Sequence, residues 1–572
     1  MASDKMASVE DILIDLRYAL TTLQRGEHSD DTSKFVLSSI VKLCNFGERE
    51  LARRLLYKCA AGRIFGVPEA LDRLLAEIHQ NDLKDEEIVE VIGVALCLVA
   101  LMDGKTVVGR AARDRVIDAI SQNYELVERR GYLFALFFGP SVIVRLSENT
   151  DLIEACRQIA CELFAPSKPI PPDIEEEVLH GVDRLLGPIA NLEFPAGIHV
   201  SPRWRQVLDE VIRTARLYRS SYHVLLAGLY YGQFRPMSFA GDEIALQQMH
   251  TYSERREAFG TAQSIAFDVM SFSEVSLINA PGIRDLGGVR HSANSASYAT
   301  DLMRVVELLP PNESYKTCLE IGSGYGGLAR MMKLALPNVT YFLVDIPESL
   351  AFAYTYLKLG FPQSRCLIVD HIEEHSEDHW RKYDFVFCPI QLFGAIAFPK
   401  VDIGINFWSL GEMNQGCVDY IFSRLNSGDW CRRFVFYNNI FLDRTLLGEA
   451  GGESGEGCLT TLNFGPGWRL RHASFQSDMS SPDQDEFEKG VYRNSLFAIM
   501  ERVDTADREE AWDAGSPIAQ LLNHYFQALW SPNVEKVSRF LTSLRSFLAD
   551  QTCAKSPLYS FDAIGEVLHF RH

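Results

Sequence analysis

One short segment constrains the fold of this chain more than any other. From Cys318 to Arg330 the sequence reads CLEIGSGYGGLAR: an apolar run ends in an acidic residue, and a glycine-rich turn and the start of a helical pattern follow. The glycines Gly322, Gly324 and Gly326 let the backbone turn sharply and let a ligand lie against it, because no Cβ atoms intervene. The segment therefore predicts a strand, a ligand-binding turn and a helix, in that order.

The same alternation of strand and helix patterns continues along the chain. The predicted strands are Thr317–Ile321, Thr340–Ile346, Phe385–Pro389, Val401–Phe407 and Arg433–Tyr437, and helical patterns lie between them. Strands that alternate with helices predict an α/β fold with a parallel, Rossmann-like sheet covered on both faces. Two later apolar runs, Trp468–Phe475 and Ser495–Met500, predict an antiparallel pair that closes the sheet.

Two carboxylates narrow the choice of ligand for the glycine-rich turn. Gly322, Gly324 and Gly327 satisfy the Gly-x-Gly-x-x-Gly pattern of dinucleotide sites, so NAD is one candidate. Glu320, at the end of the first strand, would repel a pyrophosphate but attract the ammonium and sulfonium groups of S-adenosylmethionine. Asp345 ends the second strand, where a carboxylate can bind both ribose hydroxyls. The sequence favours S-adenosylmethionine over NAD and over a purely structural turn.

The predicted cofactor contacts follow from this arrangement. We expect Glu320 to hold the methionine ammonium, Asp345 the ribose, Ile346 one face of the adenine and Gln391 its edge. The turn that shapes the site consists of Gly322, Ser323, Gly324 and Gly326.

Several blocks of this region resemble a known family. They are EIGSGYGGLA at 320–329, VDIPE at 344–348, DIGIN at 402–406, SLGEM at 409–413 and the earlier HSANS at 291–295. Together they resemble the sugar O-methyltransferase family over about residues 265–505. The resemblance implies a class I methyltransferase fold, S-adenosylmethionine as cofactor and a sugar hydroxyl as the methyl acceptor.

The acceptor is expected beyond the carboxyl end of the strand Val401–Phe407. Asn406 and Trp408 are candidate acceptor contacts, although Trp408 can equally be a core residue. Glu412 is a candidate general base, and a carboxylate favoured by a helix N-terminus is its structural alternative. His291 is the second candidate base, because its ordinary pKa suits proton transfer near neutral pH. A residue that merely begins a helix is the alternative for His291.

The acidic run at 370–379 contains His371 and His375, which would share a face if the run were helical. The whole run is polar, so we predict a solvated surface helix and no metal site.

The net charge of −20 argues against a nucleic-acid partner and against docking on an anionic membrane. The longest apolar run, Val91–Met102, is too short for the ~20 residues of a membrane span. The N-terminal residues lack the apolar segment of a signal peptide, and the twelve cysteines form no Cys-x-x-Cys pair. We therefore expect a cytoplasmic protein with free thiols.

Four regions are expected along the chain. They are an all-helical domain at 1–164, a helical cap lining the acceptor site at 165–300, the methyltransferase domain at 301–505 and C-terminal helices at 506–572. The first is either a docking or homo-oligomerisation module or a packed appendage.

The predicted function is O-methylation of a sugar or glycosylated small molecule. The alternatives are a non-sugar natural-product acceptor and a vestigial methyltransferase fold that serves as a scaffold.

Overall fold

The computed structural model describes mainly the region that carries these motifs. The described residues are 164–198, 200, 212, 219–233, 272–279, 283–286, 288–308, 313–372, 376–407, 409–410, 413, 415–442, 467–477, 492–502 and 559–560, with isolated positions at 36, 39, 71–72, 75–76, 95 and 115. The predicted all-helical region at 1–164 and most of the C-terminal region at 506–572 lie outside them.

The chain divides into two compact units. The first comprises Met1–Ser167, Phe234–Phe239 and Asn279–Gly282, and its few described positions before residue 164 are helical. The second comprises Lys168–Gln233, Ala240–Ile278 and Ile283–His572, and it contains the sheet.

The helices of the second unit surround a large sheet. In chain order the helices are α1 Pro172–Arg184, followed by a π-helix at Leu185–Ile189, α2 Ser221–Gln233, α3 Ala293–Leu308, α4 Gly327–Ala335, α5 Pro347–Gly360, α6 Glu377–Trp380, α7 Ile390–Phe393 and α8 Gln415–Asn426. The strands are β1 Arg284–Leu286, β2 Val289–His291, β3 Thr317–Ile321, β4 Thr340–Asp345, β5 Cys366–Ile368, β6 Phe385–Pro389, β7 Ile403–Phe407, β8 Arg433–Leu442, β9 Trp468–Ser477, β10 Tyr492–Arg502 and β11 Tyr559–Ser560.

The large sheet confirms the predicted α/β arrangement. Its strand order is β5-β6-β4-β3-β7-β8-β10-β9-β11, and the pairs from β5 to β8 are all parallel. The strand β10 pairs antiparallel with both β8 and β9, as the two late apolar runs predicted. The chain runs from β3 to β4 on one side and later returns to β7 on the other, so the strand order reverses between β3 and β7. In open α/β sheets, ligands bind at the carboxyl ends of the strands at such a switch point.

Burial explains why the central strands are mostly apolar. Every residue of β3, β6 and β7 is buried, as parallel strands covered by helices require. On one face, α5 is buried along most of its length and packs against α1 and α2. Glycines make this close packing possible: a Cβ at Gly181 of α1 would lie 2.2 Å from the ring of Tyr354, and one at Gly228 of α2 would lie 2.9 Å from Phe352.

Some elements differ from the sequence predictions. The hairpin β1–β2, whose register pairs Arg284 with His291, lies within the region 165–300 that was predicted to be a helical cap. The following helix α3 begins at Ala293 and runs through residue 300, where a domain boundary was predicted. The pair Tyr559–Ser560 is a strand beside β9 in a region predicted to be helical.

Two further predictions concern thiols and membrane spans. Cys318, Cys388 and Cys431 are buried free thiols, as expected for cysteines within apolar runs. Within the described part of the chain, none of the helices combines the length and apolar character needed to span a membrane.

Candidate functional site

The glycine-rich turn lies directly after β3, at the switch point of the sheet. Gly322, Gly324 and Gly326 have φ angles of 74°, 53° and 85°, in the left-handed region that side chains other than glycine rarely adopt. The Gly326 N–H donates to the carbonyl of Ser323 at 2.9 Å, and Gly326 is the N-cap of α4. A Cβ at Gly324 would meet open space, so backbone conformation and not crowding requires glycine there.

Glu320 lies at the base of this turn as a buried acid. Its side chain is 3% exposed and accepts a hydrogen bond of 2.9 Å from the hydroxyl of Tyr341 on β4. Among the described residues, no basic side chain pairs with it. Burial raises the pKa of Glu320 to about 8, and the negative charges of Asp345 and Asp301 act in the same direction. The Tyr341 hydrogen bond opposes this shift because it favours the ionised form.

Asp345 connects the ends of two strands at the same edge of the sheet. One carboxylate oxygen accepts the Gly324 N–H at 2.9 Å, and the other accepts the Ile346 N–H at 2.7 Å. Burial nevertheless raises the pKa of Asp345 to about 7, and these two backbone donors act in the opposite direction. Each oxygen has a second lone pair, so the carboxylate can still accept hydroxyl groups from a ligand.

Two polar side chains near this edge are buried without a hydrogen-bond partner among the described residues. Gln391 is 8% exposed and follows β6 in the short helix α7; neither its amide nitrogen nor its amide oxygen is paired there. The hydroxyl of Ser323, within the turn, is in the same situation. Buried polar groups are normally hydrogen-bonded, so these two side chains indicate space for a polar ligand. Ile346, the N-cap of α5, is partly buried and packs against the main apolar core.

The side-chain amide of Asn406, which was predicted to contact the acceptor, is hydrogen-bonded within the protein. The side chain is fully buried, and its amide nitrogen donates to the carbonyl of Ile321 at 2.8 Å and to the hydroxyl of Ser409 at 2.6 Å. Its amide oxygen accepts the Leu410 N–H at 3.2 Å. Both amide protons are therefore used within the protein, and the amide nitrogen has no donor left for an acceptor molecule.

Helix α3 contributes residues that the sequence analysis missed. The ring of Tyr298 lies where a Cβ of Gly327 would be, 2.2 Å from its ideal position, so α3 packs directly on the start of α4. Asp301 is on the same side of α3, three residues later, and is 1% exposed. Burial raises the pKa of Tyr298, and the charges of Glu320 and Asp301 act in the same direction. In the sequence, only the spacing of three residues between Tyr298 and Asp301 indicated that they lie on the same side of a helix.

Of the two candidate general bases, His291 lies within the described residues and Glu412 does not. His291 ends β2, is 1% exposed and precedes Ser292, which caps α3: the Ser292 hydroxyl accepts the Ser295 N–H at 2.9 Å and donates to Glu274 at 2.6 Å. Glu412 and Trp408 lie outside the described residues, so their predicted roles remain predictions.

The acidic run at 370–379 differs from its prediction. His371 is exposed in a bend before α6 and contacts Asp370, and α6 covers only Glu377–Trp380. His375 lies outside the described residues. Within the described ranges, no three His, Cys, Asp or Glu side chains cluster in a way that could hold a metal ion.

The described residues therefore form a site with two distinct ends. At one end, the buried carboxylate of Glu320, which has no basic partner among the described residues, can bind a cationic group. At the other end, Asp345, Ile346 and Gln391 offer a carboxylate, an apolar surface and an amide, which together suit a nucleoside.

Comparisons with known proteins add structural likenesses. No protein-family model and no curated protein matches the chain. Among solved structures, the mitomycin 7-O-methyltransferase MmcR is 15% identical, with 70% of this chain and 100% of that one covered and a TM-score of 0.23. Human N-acetylserotonin methyltransferase in complex with SAM is 12% identical, with 68% and 97% covered and a TM-score of 0.20. M. capricolum TrmK in complex with S-adenosyl-homocysteine is 9% identical, with 44% and 96% covered and a TM-score of 0.22.

Proposed function

We propose that this chain is an S-adenosylmethionine-dependent O-methyltransferase that acts on a hydroxyl group of a sugar or glycosylated small molecule. The observation that carries the proposal is Glu320. A buried carboxylate with no basic partner among the described residues destabilises the fold, and such a cost is typical of a binding site for a cation. Glu320 lies below a glycine-rich turn at the switch point of the sheet, where ligands of α/β folds bind.

The chain's residues fit this cofactor along its length. Glu320 would hold the methionine ammonium, and the turn from Gly322 to Gly326 would lie beneath the amino-acid portion. Asp345 would bind the ribose hydroxyls while it keeps its two backbone hydrogen bonds. Ile346 would pack on the adenine, and the amide of Gln391, which has no partner among the described residues, would pair with the adenine edge.

A dinucleotide fits the same residues less well. The pyrophosphate of NAD is anionic and would lie on the glycine-rich turn, beside the buried Glu320. The pKa of about 8 at Glu320 already reflects the cost of one buried negative charge, with Asp345 and Asp301 adding to it. Further negative charge at this position would be repelled, whereas an ammonium group would be stabilised.

The residues on the acceptor side would position a hydroxyl group and remove its proton. When bound, S-adenosylmethionine supplies an electrophilic methyl group to a nucleophilic oxygen. The chain must hold that oxygen in line with the methyl carbon, and a positioned general base contributes roughly 10²–10⁴-fold in rate. We assign the base to Glu412, with His291 as the second candidate, and we assign Trp408 to stacking on the sugar ring. The sugar class itself rests on the resemblance of the blocks around Pro347 and Glu412.

The proposal is tested by methyl transfer. The full chain is incubated with S-adenosylmethionine that carries an isotope-labelled methyl group and with a panel of free sugars, glycosides and glycosylated small molecules. We expect label in at least one sugar hydroxyl, and none with Glu320→Gln. Label only in non-sugar hydroxyls would change the acceptor class. Failure of the wild-type chain to bind S-adenosylhomocysteine would refute the proposal.

A further inference from the structure

The peptide that joins β3 to the glycine-rich turn is held from two neighbouring strands. Its N–H, on Gly322, donates to the carbonyl of Val344 on β4 at 2.7 Å. Its carbonyl, on Ile321, accepts the side-chain amide of Asn406 on β7 at 2.8 Å and the hydroxyl of Ser409 at 3.3 Å. The first peptide of the turn is therefore fixed on both sides, across the position where the strand order reverses.

Ser409 also lies directly against the turn. A Cβ built on Gly322 would be 2.0 Å from the Ser409 hydroxyl and 3.5 Å from the terminal methyl of Met413. The segment after β7 thus occupies the space that a side chain at Gly322 would need. Asn406 holds this segment at two points, because it donates to Ser409 and accepts the N–H of Leu410.

We propose that Asn406 and Ser409 are positioning residues that hold the glycine-rich turn in its cofactor-binding shape, with Ser409 placed directly against Gly322. This inference deepens the proposed function and rests on it. Neither residue needs to contact the cofactor.

A second set of hydrogen bonds between β3 and β7 offers a control for effects on overall stability. At the opposite end of the same two strands, the carboxylate of Asp402 accepts the N–H groups of Lys316 at 2.7 Å and Thr317 at 3.1 Å. This connection stabilises the same strand pair but is about four residues, or roughly 13 Å, from the turn. Asp402→Asn is therefore a matched control that weakens the pair without changing the turn.

The first experiment measures S-adenosylhomocysteine affinity by calorimetry and thermal stability for the full chain and for Asn406→Ala, Ser409→Ala and Asp402→Asn. Loss of the Asn406 hydrogen bonds should weaken binding at least tenfold, and loss of the Ser409 hydroxyl should weaken it several-fold. Asp402→Asn should lower the melting temperature while its dissociation constant stays within twofold of wild type. Because Ser409→Ala removes only a hydroxyl, it keeps the test valid if Asn406→Ala does not fold.

A double-mutant comparison tests the contact itself. Gly322→Ala should weaken S-adenosylhomocysteine binding severely, since the methyl group meets the Ser409 hydroxyl and the φ angle of 74° is strained for alanine. Adding Ser409→Gly removes the clash but not the strain, so the double variant should recover part of the affinity. If the wild-type chain binds no S-adenosylhomocysteine, the proposed function fails. If the wild-type chain binds it and Asn406→Ala and Ser409→Ala bind equally well, the positioning role is refuted. If the double variant binds no better than Gly322→Ala, the close contact between Ser409 and Gly322 is refuted.

Discussion

The buried carboxylate of Glu320 lowers the stability of the folded, ligand-free protein, and the same carboxylate is the proposed binding group for a cationic ligand. Its pKa rises from an ordinary value of 4.5 to about 8 in the folded chain. The folded state therefore holds this proton more tightly than the unfolded state does, and the stability of the ligand-free protein falls as the pH rises from about 4.5 to 8. The charge that a cationic ligand needs is formed over the upper part of that range.

We expect Glu320→Gln to separate these two effects. Glutamine is neutral and can still accept the Tyr341 hydrogen bond, so the variant should have a higher melting temperature than wild type at pH 8.5, with a smaller gain at pH 6. Its affinity for S-adenosylhomocysteine should fall at least 100-fold. Calorimetry and thermal melts at both pH values measure this, and a variant that is less stable at pH 8.5 yet binds normally would contradict the role of Glu320.

The affinity of the wild-type chain for S-adenosylhomocysteine should depend on pH in a defined direction. Below pH 8 the ligand must displace the proton of Glu320, so the dissociation constant should rise roughly tenfold for each pH unit down to pH 6. Tyr341→Phe removes a hydrogen bond that favours the ionised carboxylate, so the pH profile should move to higher pH. A flat profile between pH 6 and 8 would show that Glu320 does not bind the ammonium.

For single residues, the sequence locates the site carboxylates but does not predict which side chains contact them. Glu320 and Asp345 could be located because they end apolar runs at a known spacing. The Tyr341 hydroxyl and the buried Asp301 could not, since each approaches Glu320 from a different element. Asn406 was expected to face the acceptor because it ends a strand, but its amide is instead used by the Ile321 carbonyl and Ser409.

Among the elements, the glycine-rich turn allows a test of ligand contact against backbone strain. Gly324 and Gly197 both have positive φ angles, 53° and 84°, and a Cβ at either would meet open space. Alanine should cost about 1 kcal/mol of stability at each position. Only Gly324→Ala should also weaken S-adenosylhomocysteine binding, by tenfold or more, because its methyl group would enter the space above the turn. Equal affinities for the two variants, measured by calorimetry, would show that the turn is not part of the cofactor site.

The elements themselves were largely predictable from the periodicity of apolar residues. The parallel strands β3, β4, β6 and β7 are mostly apolar because helices cover both faces of the sheet. The hairpin β1–β2 was not predicted, because its strands are only three residues long and pair mainly with each other. The neighbour of each strand depends on long-range packing, so the strand order also required the structure.

For the whole molecule, the division into two compact units predicts that cofactor binding is modular. The unit that contains the sheet takes up the chain from Lys168 onward, apart from two short segments. A chain shortened to begin near Pro166 should therefore bind S-adenosylhomocysteine with an affinity within a few-fold of the full chain. Calorimetry on both proteins, with circular dichroism to establish folding, measures this. Complete loss of binding by a folded, shortened chain would contradict it.

The most direct test of the whole account is a comparison of two ligands on the full-length chain. Isothermal titration at pH 8 should show one site for S-adenosylhomocysteine at micromolar concentration, with protons released as Glu320 becomes ionised, and no heat with NADH. Binding of NADH without binding of S-adenosylhomocysteine would contradict the account, because the buried carboxylate below the glycine-rich turn would then not be a cation site.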